Sequence, residues 1–223
     1  PRQVLHELPV TDTLNNRKKT ESHSRNAATS HPRVIQHERF NLPTVGLIFT
    51  QSLIAPAGFE LERVDRKVGE HWADTATCHS LREYTVAWVT AESPHCVAMA
   101  MQWIHSGNAD LASIGWNALS DYVAMTPDDK LDVATLKDLL LHIEKVIHTA
   151  ANREKYTMNG FIIAIGVYVT LLSELARTIA EKVGKVTVYM GDTACKVPFG
   201  PEYIEKCITK SGVGKKRKSV RCL

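Results

Sequence analysis

Trp72, Asp74, Thr75, Thr77, Cys78 and His79 form the densest cluster of chemically capable side chains in the 223 residues. The indole of Trp72 beside this polar cluster offers an aromatic plane that can stack on a base or sense a cationic one. A thiol beside an imidazole raises a second chemistry, nucleophilic attack by a thiolate. Neighbouring side chains on a helix point about 100° apart, so Cys78 and His79 do not share a proton there. The structural alternative is a helix N-terminus here, capped by Asp74 or Thr75, with Cys78 packed inward. Among the other tryptophans, Trp116 is read with Trp72 as a cleft wall able to stack on a base. Trp88 and Trp103, at helical spacing, read as core. The histidines show no metal-ligand spacing: His142 and His148 share one helix but lie six residues apart, on different faces. Neither a metal nor a cofactor is implied.

Cations are placed in two ways. Arg153 and Lys155 fall in the opening turn of an apolar helix, where positive charge opposes the macrodipole at a cost of about a few tenths of a kcal/mol. Contact with phosphate would explain that placement, and solvent exposure without a role is the alternative. Residues 210–223 hold six Lys/Arg and no acid, including Lys215, Lys216, Arg217 and Lys218. The formal charge is +2 over residues 1–66, −5 over 67–209 and +6 over 210–223, so the net +3 hides an acidic body with a basic tail. An anionic partner for the tail, or a solvated frayed end, are the two readings. No GxGxxG, GxxxxGK[ST] or GxSxG occurs, which leaves nucleotide binding and the common hydrolase elbow without support.

The elements that must position these groups are helices. Leu136, Leu139, Leu140, Ile143, Val146 and Ile147 recur at i, i+3, i+4, i+7 behind a capping Asp132. Ser93–Pro94 predicts a helix from 94 to about 106, closed by Gly107. Ile114, Leu119, Tyr122 and Val123 mark another, ending at Pro127. Met158 to Ile179 reads as a helical pair broken near 166–170, and Pro201 opens a last short helix. Short connections make neighbouring helices antiparallel. Pairs beginning near 79, 110 and 153 fit an irregular helical-repeat stack. The expected division is residues 1–66 as a loosely ordered or diverged region, 67–209 as the helical-repeat domain and 210–223 as a basic tail. Within the first region, residues 15–39 are basic and polar, and Leu42–Ile54 reads equally as a strand or a buried helix.

Hydrophobic content of 44% and charged content of 23% are globular values, and no apolar run approaches the roughly 20 residues of a membrane span. The five cysteines are odd in number and lack CxxC spacing, so a disulfide framework is not expected and a reducing, cytoplasmic setting is. The chain starts at Pro1 without a charged-then-apolar leader, the pattern expected of a trimmed chain rather than a secreted precursor.

Several motifs in order resemble the DNA alkylation repair family, the HEAT-like helical-repeat alkylpurine DNA glycosylases. They are Ile114–Gly115–Trp116–Asn117, then Asn152–Arg153, Met158–Asn159 and Ile162–Gly166, then Gly184–Lys185–Val186–Thr187–Val188 leading into Gly191–Asp192–Thr193–Ala194–Cys195–Lys196–Val197–Pro198 and Tyr203–Ile204. The resemblance covers roughly residues 75–210. It implies an all-α irregular superhelix that binds duplex DNA and excises N3- or N7-alkylated purines, a cleft of aromatic residues and a carboxylate stabilising the developing sugar cation. The family's aromatic and aspartate, four residues apart, fall at Thr75 and His79 here, and an arginine falls at Ser113. On that reading Asp74 serves as the carboxylate from a shifted register. Trp72, Trp116 and His79 line the base cleft, and Arg153, Lys155, Lys215, Lys216, Arg217 and Lys218 meet the DNA backbone. The alternative is a catalytically silent helical-repeat scaffold that binds nucleic acid or protein.

Overall fold

The computed structural model describes residues 66–192 and 195–220; the expectations for residues 1–65 lie outside them. Helix α1 spans Arg66–Thr75. A π-helical stretch, Leu81–Val86, runs directly into α2, Ala87–Ala91. Then follow α3 (Cys96–Ile104), α4 (Ala109–Met125), α5 (Val133–Val146), α6 (Asn152–Tyr168), α7 (Ser173–Val183) and α8 (Gly200–Ser211). The described residues contain no strand, as the helical periodicity predicts. None of their helices is by itself long and apolar enough to cross a membrane.

Local chemistry explains most boundaries. Asp132 caps α5 as expected, accepting from the Thr135 N–H at 3.1 Å, and Leu136, Leu139, Leu140 and Ile143 form its buried stripe. Asn108 does the same for α4 through the Asp110 and Leu111 amides. Gly107 terminates the preceding segment at φ 74°. The Ser93 cap is not formed. Its hydroxyl turns back to donate to the Thr90 carbonyl at 2.9 Å, and α3 starts at Cys96.

The centre of the molecule is the contact between α4 and α6, with α3 against α4 and with α7 and α8 against α6. Trp116 lies on Phe161 there, ring centroids 5.4 Å apart, both inaccessible to water. Burying two such rings contributes several kcal/mol on the scale of roughly 1.5–3 kcal/mol per large apolar side chain. Gly115 lets α3 and α4 approach this closely: a Cβ at that position would stand 2.7 Å from the Ala100 carbonyl oxygen.

The basic C-terminus is not a free tail. Position 210 falls inside α8, and residues 212–220 lie back across the body as a strap. Gly214, at φ +75°, donates its N–H to the Val167 carbonyl at 2.8 Å and passes so close to Thr170 that any Cβ would collide with it. The Arg217 N–H reaches the Ala124 carbonyl at 2.8 Å, the Val220 side chain is buried, and its N–H meets Glu92 at 3.3 Å.

Candidate functional site

The π-helical stretch turns Glu83 completely inward and leaves Tyr84 exposed. Such wide turns are uncommon and concentrate at functional sites. Asn117 from α4 donates Nδ2 to the Glu83 carbonyl at 2.9 Å, tying the turn to the core. The Glu83 carboxylate receives Arg153 from the first turn of α6, Nε to Oε1 at 2.8 Å and Nη2 to Oε2. Burial works against the Arg153 charge, but Glu83 outweighs it and holds the guanidinium more firmly protonated than usual. The guanidinium also stacks over Tyr156, 4.6 Å from the ring centroid.

Around this pair stands an aromatic rim. Tyr84 meets Trp88 edge-on, centroids 5.7 Å apart, and adjoins Tyr156. Burial raises both phenols above the usual tyrosine range, and for each Arg153 pulls the other way without restoring it, so both remain protonated donors.

The extended segment after α7 crosses the start of α6 and is pinned by it. The Asn152 side chain forms a two-way clamp, Nδ2 donating to the Tyr189 carbonyl and Oδ1 accepting the Tyr189 N–H, each at 2.7 Å. Seven residues on, Asn159 Nδ2 donates to the Pro198 carbonyl at 2.9 Å. Between these, Arg153 Nη1 lies 3.9 Å from the Met190 sulfur. The motif residues Asn152, Arg153 and Asn159 therefore hold the segment at Tyr189, Met190 and Pro198.

A second polar site lies where α4, α6 and α8 meet the strap, as an open groove of about 250 Å³ lined by Ser120, Asp121, Gly160, Tyr168, Tyr203 and Arg217 among others. Asp121 is mostly buried, and burial pushes its carboxyl up to about 6, with Arg217 lowering it and Glu92 raising it. Arg217 Nη1 stands 3.7 Å away, a loose contact compared with the Glu83 pair.

The structure redistributes the expected site residues. Asp74 is exposed in the last turn of α1, not at a helix N-terminus, so the macrodipole does not favour its charge. It lines a hollow with Glu70, Gln102, Trp103, Ser106 and Leu111, and neither Trp72 nor Trp116 belongs to that lining. Trp72 packs half-buried against the core, and His79 is exposed just before the π turn. Trp116 is core and cannot form a cleft wall, because Phe161 and the α4–α6 contact enclose it. Arg153 is engaged by Glu83 rather than held out for phosphate. Lys216 is also engaged: its Nζ donates to the Val123 and Tyr168 carbonyls at 2.9 and 2.6 Å and pairs with Asp128 at 2.7 Å. Arg217 faces Asp121. Lys215 and Lys218 are exposed and Lys155 is half-buried. No local spacing marks Glu83, Tyr84, Tyr156 or Asp121; the cation in the first turn of α6 is the one sequence signal that points at the Glu83 pair.

No family model matches the chain. Two uncharacterized proteins, from Listeria monocytogenes and Listeria innocua, are 36% and 34% identical to it over 123 residues, 55% of this chain and 52% of each relative. The chain thus spans about half the length of the curated relatives it matches. A solved structure described as a new family of proteins related to the HEAT-like repeat DNA glycosylases, with affinity for branched DNA structures, superposes with a TM-score of 0.71. That similarity carries 27% identity and covers 78% of this chain and 74% of the other. The fold is a HEAT-like helical repeat. The likeness relates the chain to the glycosylase-related proteins of that fold.

Proposed function

We propose that this chain is a DNA-binding helical-repeat protein that prefers branched DNA to linear duplex and does not excise bases. The observation that carries the reading is the similarity in fold and sequence to a protein with affinity for branched DNA. The geometry supports the silent half of it. Glu83 is neutralised by Arg153, and Asp74 sits in a hollow that neither Trp72 nor Trp116 lines. Phosphate contacts fall to exposed cations such as Lys185, Lys196, Lys215 and Lys218, since Arg153, Lys216 and Arg217 already face acceptors of the fold.

The test is competition between a labelled four-way junction and a linear duplex of the same composition, at one stated salt concentration. Tighter binding to the junction is expected. Equal affinities would remove the preference, and no binding to either would remove the reading.

One observation favours excision as a second reading. In the groove at Asp121, a loosely compensated carboxylate shares a cavity with Tyr168 and Tyr203, side chains of the kind that could hold a base and steady a developing sugar cation. Release of methylated purines by the parent, lost in Asp121→Asn, would establish it in place of the first.

A further inference from the structure

From Lys185 to Met190 the segment after α7 alternates like a strand although it pairs with no strand among the described residues. Val186 and Val188 are buried and Met190 is half-buried, while Lys185, Thr187 and Tyr189 face water. Tyr189 is 77% exposed, the largest value among the exposed large apolar side chains of the described residues. Its backbone is nevertheless clamped on both polar groups by Asn152, and the next residue is held at Arg153. An aromatic ring left in water on a backbone fixed in this way is pre-organised for a partner, because the ordering cost is met before binding.

Resting on the reading of the chain as a branched-DNA binder, we propose that Tyr189 is a stacking platform for an unpaired nucleotide at the branch point, with Lys185 on the same edge meeting the adjoining phosphate. Every base offers a π face, and only unpaired bases have both faces free, so a ring of this kind selects branch points over continuous duplex without reading sequence. Formal charge around the ring is balanced, with Lys185 in its outward row and Lys155 in the first turn of α6 against the carboxylates of Glu154 and Asp192, so the phosphate contact is assigned to the exposed Lys185 alone.

The experiment uses the full chain and a DNA junction carrying 2-aminopurine at an unpaired position of the branch, with a fully paired duplex of the same composition as control. The parent and Tyr189→Phe are expected to quench the 2-aminopurine on binding. Tyr189→Ala should lose the quench and bind the junction roughly 5- to 150-fold more weakly, the range given by about 1–3 kcal/mol of stacking per base, with duplex binding and the thermal midpoint unchanged. Quench and junction affinity preserved in Tyr189→Ala would overturn the platform while leaving branched-DNA binding intact. An equal loss on junction and duplex would overturn it too, since the ring would then be serving the backbone. A parent that binds no DNA would overturn both proposals.

Discussion

Two arginine–carboxylate pairs sit toward opposite ends of α6, on the order of 20 Å apart along its axis, and they are built differently. Glu83 and Arg153 are bound through both carboxylate oxygens, with the acid fully buried and the guanidinium stacked on Tyr156. Asp121 and Arg217 stand 3.7 Å apart, with the arginine on a strap rather than a helix and the acid pushed up to about 6. A buried charge is tolerated when its lone pairs are satisfied, and each unmet one adds a desolvation cost. The first pair is therefore a rivet between the π turn and α6. The second is a yielding contact that leaves a titratable group in a groove.

Breaking the rivet should have the largest effect. Arg153→Met leaves the fully buried Glu83 carboxyl without its partner, and removing one partner of such a pair costs about 3–5 kcal/mol. In a domain of this size the thermal midpoint should fall by on the order of 10 °C. A fall of only a degree or two would show that water reaches Glu83.

Asp121→Asn should act in the opposite direction. The folded-state pKa of Asp121 lies above its ordinary value, so the folded protein binds the proton more tightly than the unfolded chain does. The sign follows from linkage: the contribution of Asp121 to stability is greatest below about pH 4, falls as pH rises to about 6, and then stays at the lower level. Asparagine removes that penalty, so the variant should be more stable by roughly 2–3 kcal/mol at pH 8, with the gap closing toward pH 4 in denaturant titrations. A variant less stable than the parent at pH 8 would mean that Arg217 compensates Asp121 more fully than the distance indicates.

The smallest effect concerns the strap. Lys216→Met leaves the Val123 and Tyr168 carbonyls and Asp128 without their cation, at a cost of about 1–2 kcal/mol. For Asp128 burial raises the carboxyl, but bonds from Lys216 and Thr170 outweigh it and hold it below the ordinary range. Its contribution is therefore present above about pH 4 and lost as pH falls through the lowered pKa. Urea titrations at pH 7 and pH 3 should show the variant differing from the parent at the first and less at the second. A strap that serves DNA alone would leave stability unchanged at both.

The helices were legible because their signal is local. Asp132 and the Leu136–Ile143 stripe lie within about three turns, whereas Gly115, in the middle of a helix at a close crossing, carries no local signal that separates it from a helix-ending glycine. The site was not, because its bonds are distant in sequence. Glu83 meets Arg153 across 70 residues, and Lys216 reaches Val123 across 93. Charge runs show their sign and not their partners, so the basic tail read as a tail. Aromatic residues at helical spacing look alike on either face, so spacing alone does not separate Trp116, enclosed in the core, from Trp88, which packs against the core with Tyr84 at its edge.

We propose above that this chain holds branched DNA without cutting a glycosidic bond. The most direct measurement gives one preparation a junction and a duplex both containing methylated purines, and follows complex formation and free base together. A retained junction is expected, with no methylpurine released from either substrate. Release that grows with time and protein concentration would overturn the silent reading and favour the groove at Asp121 as an active site.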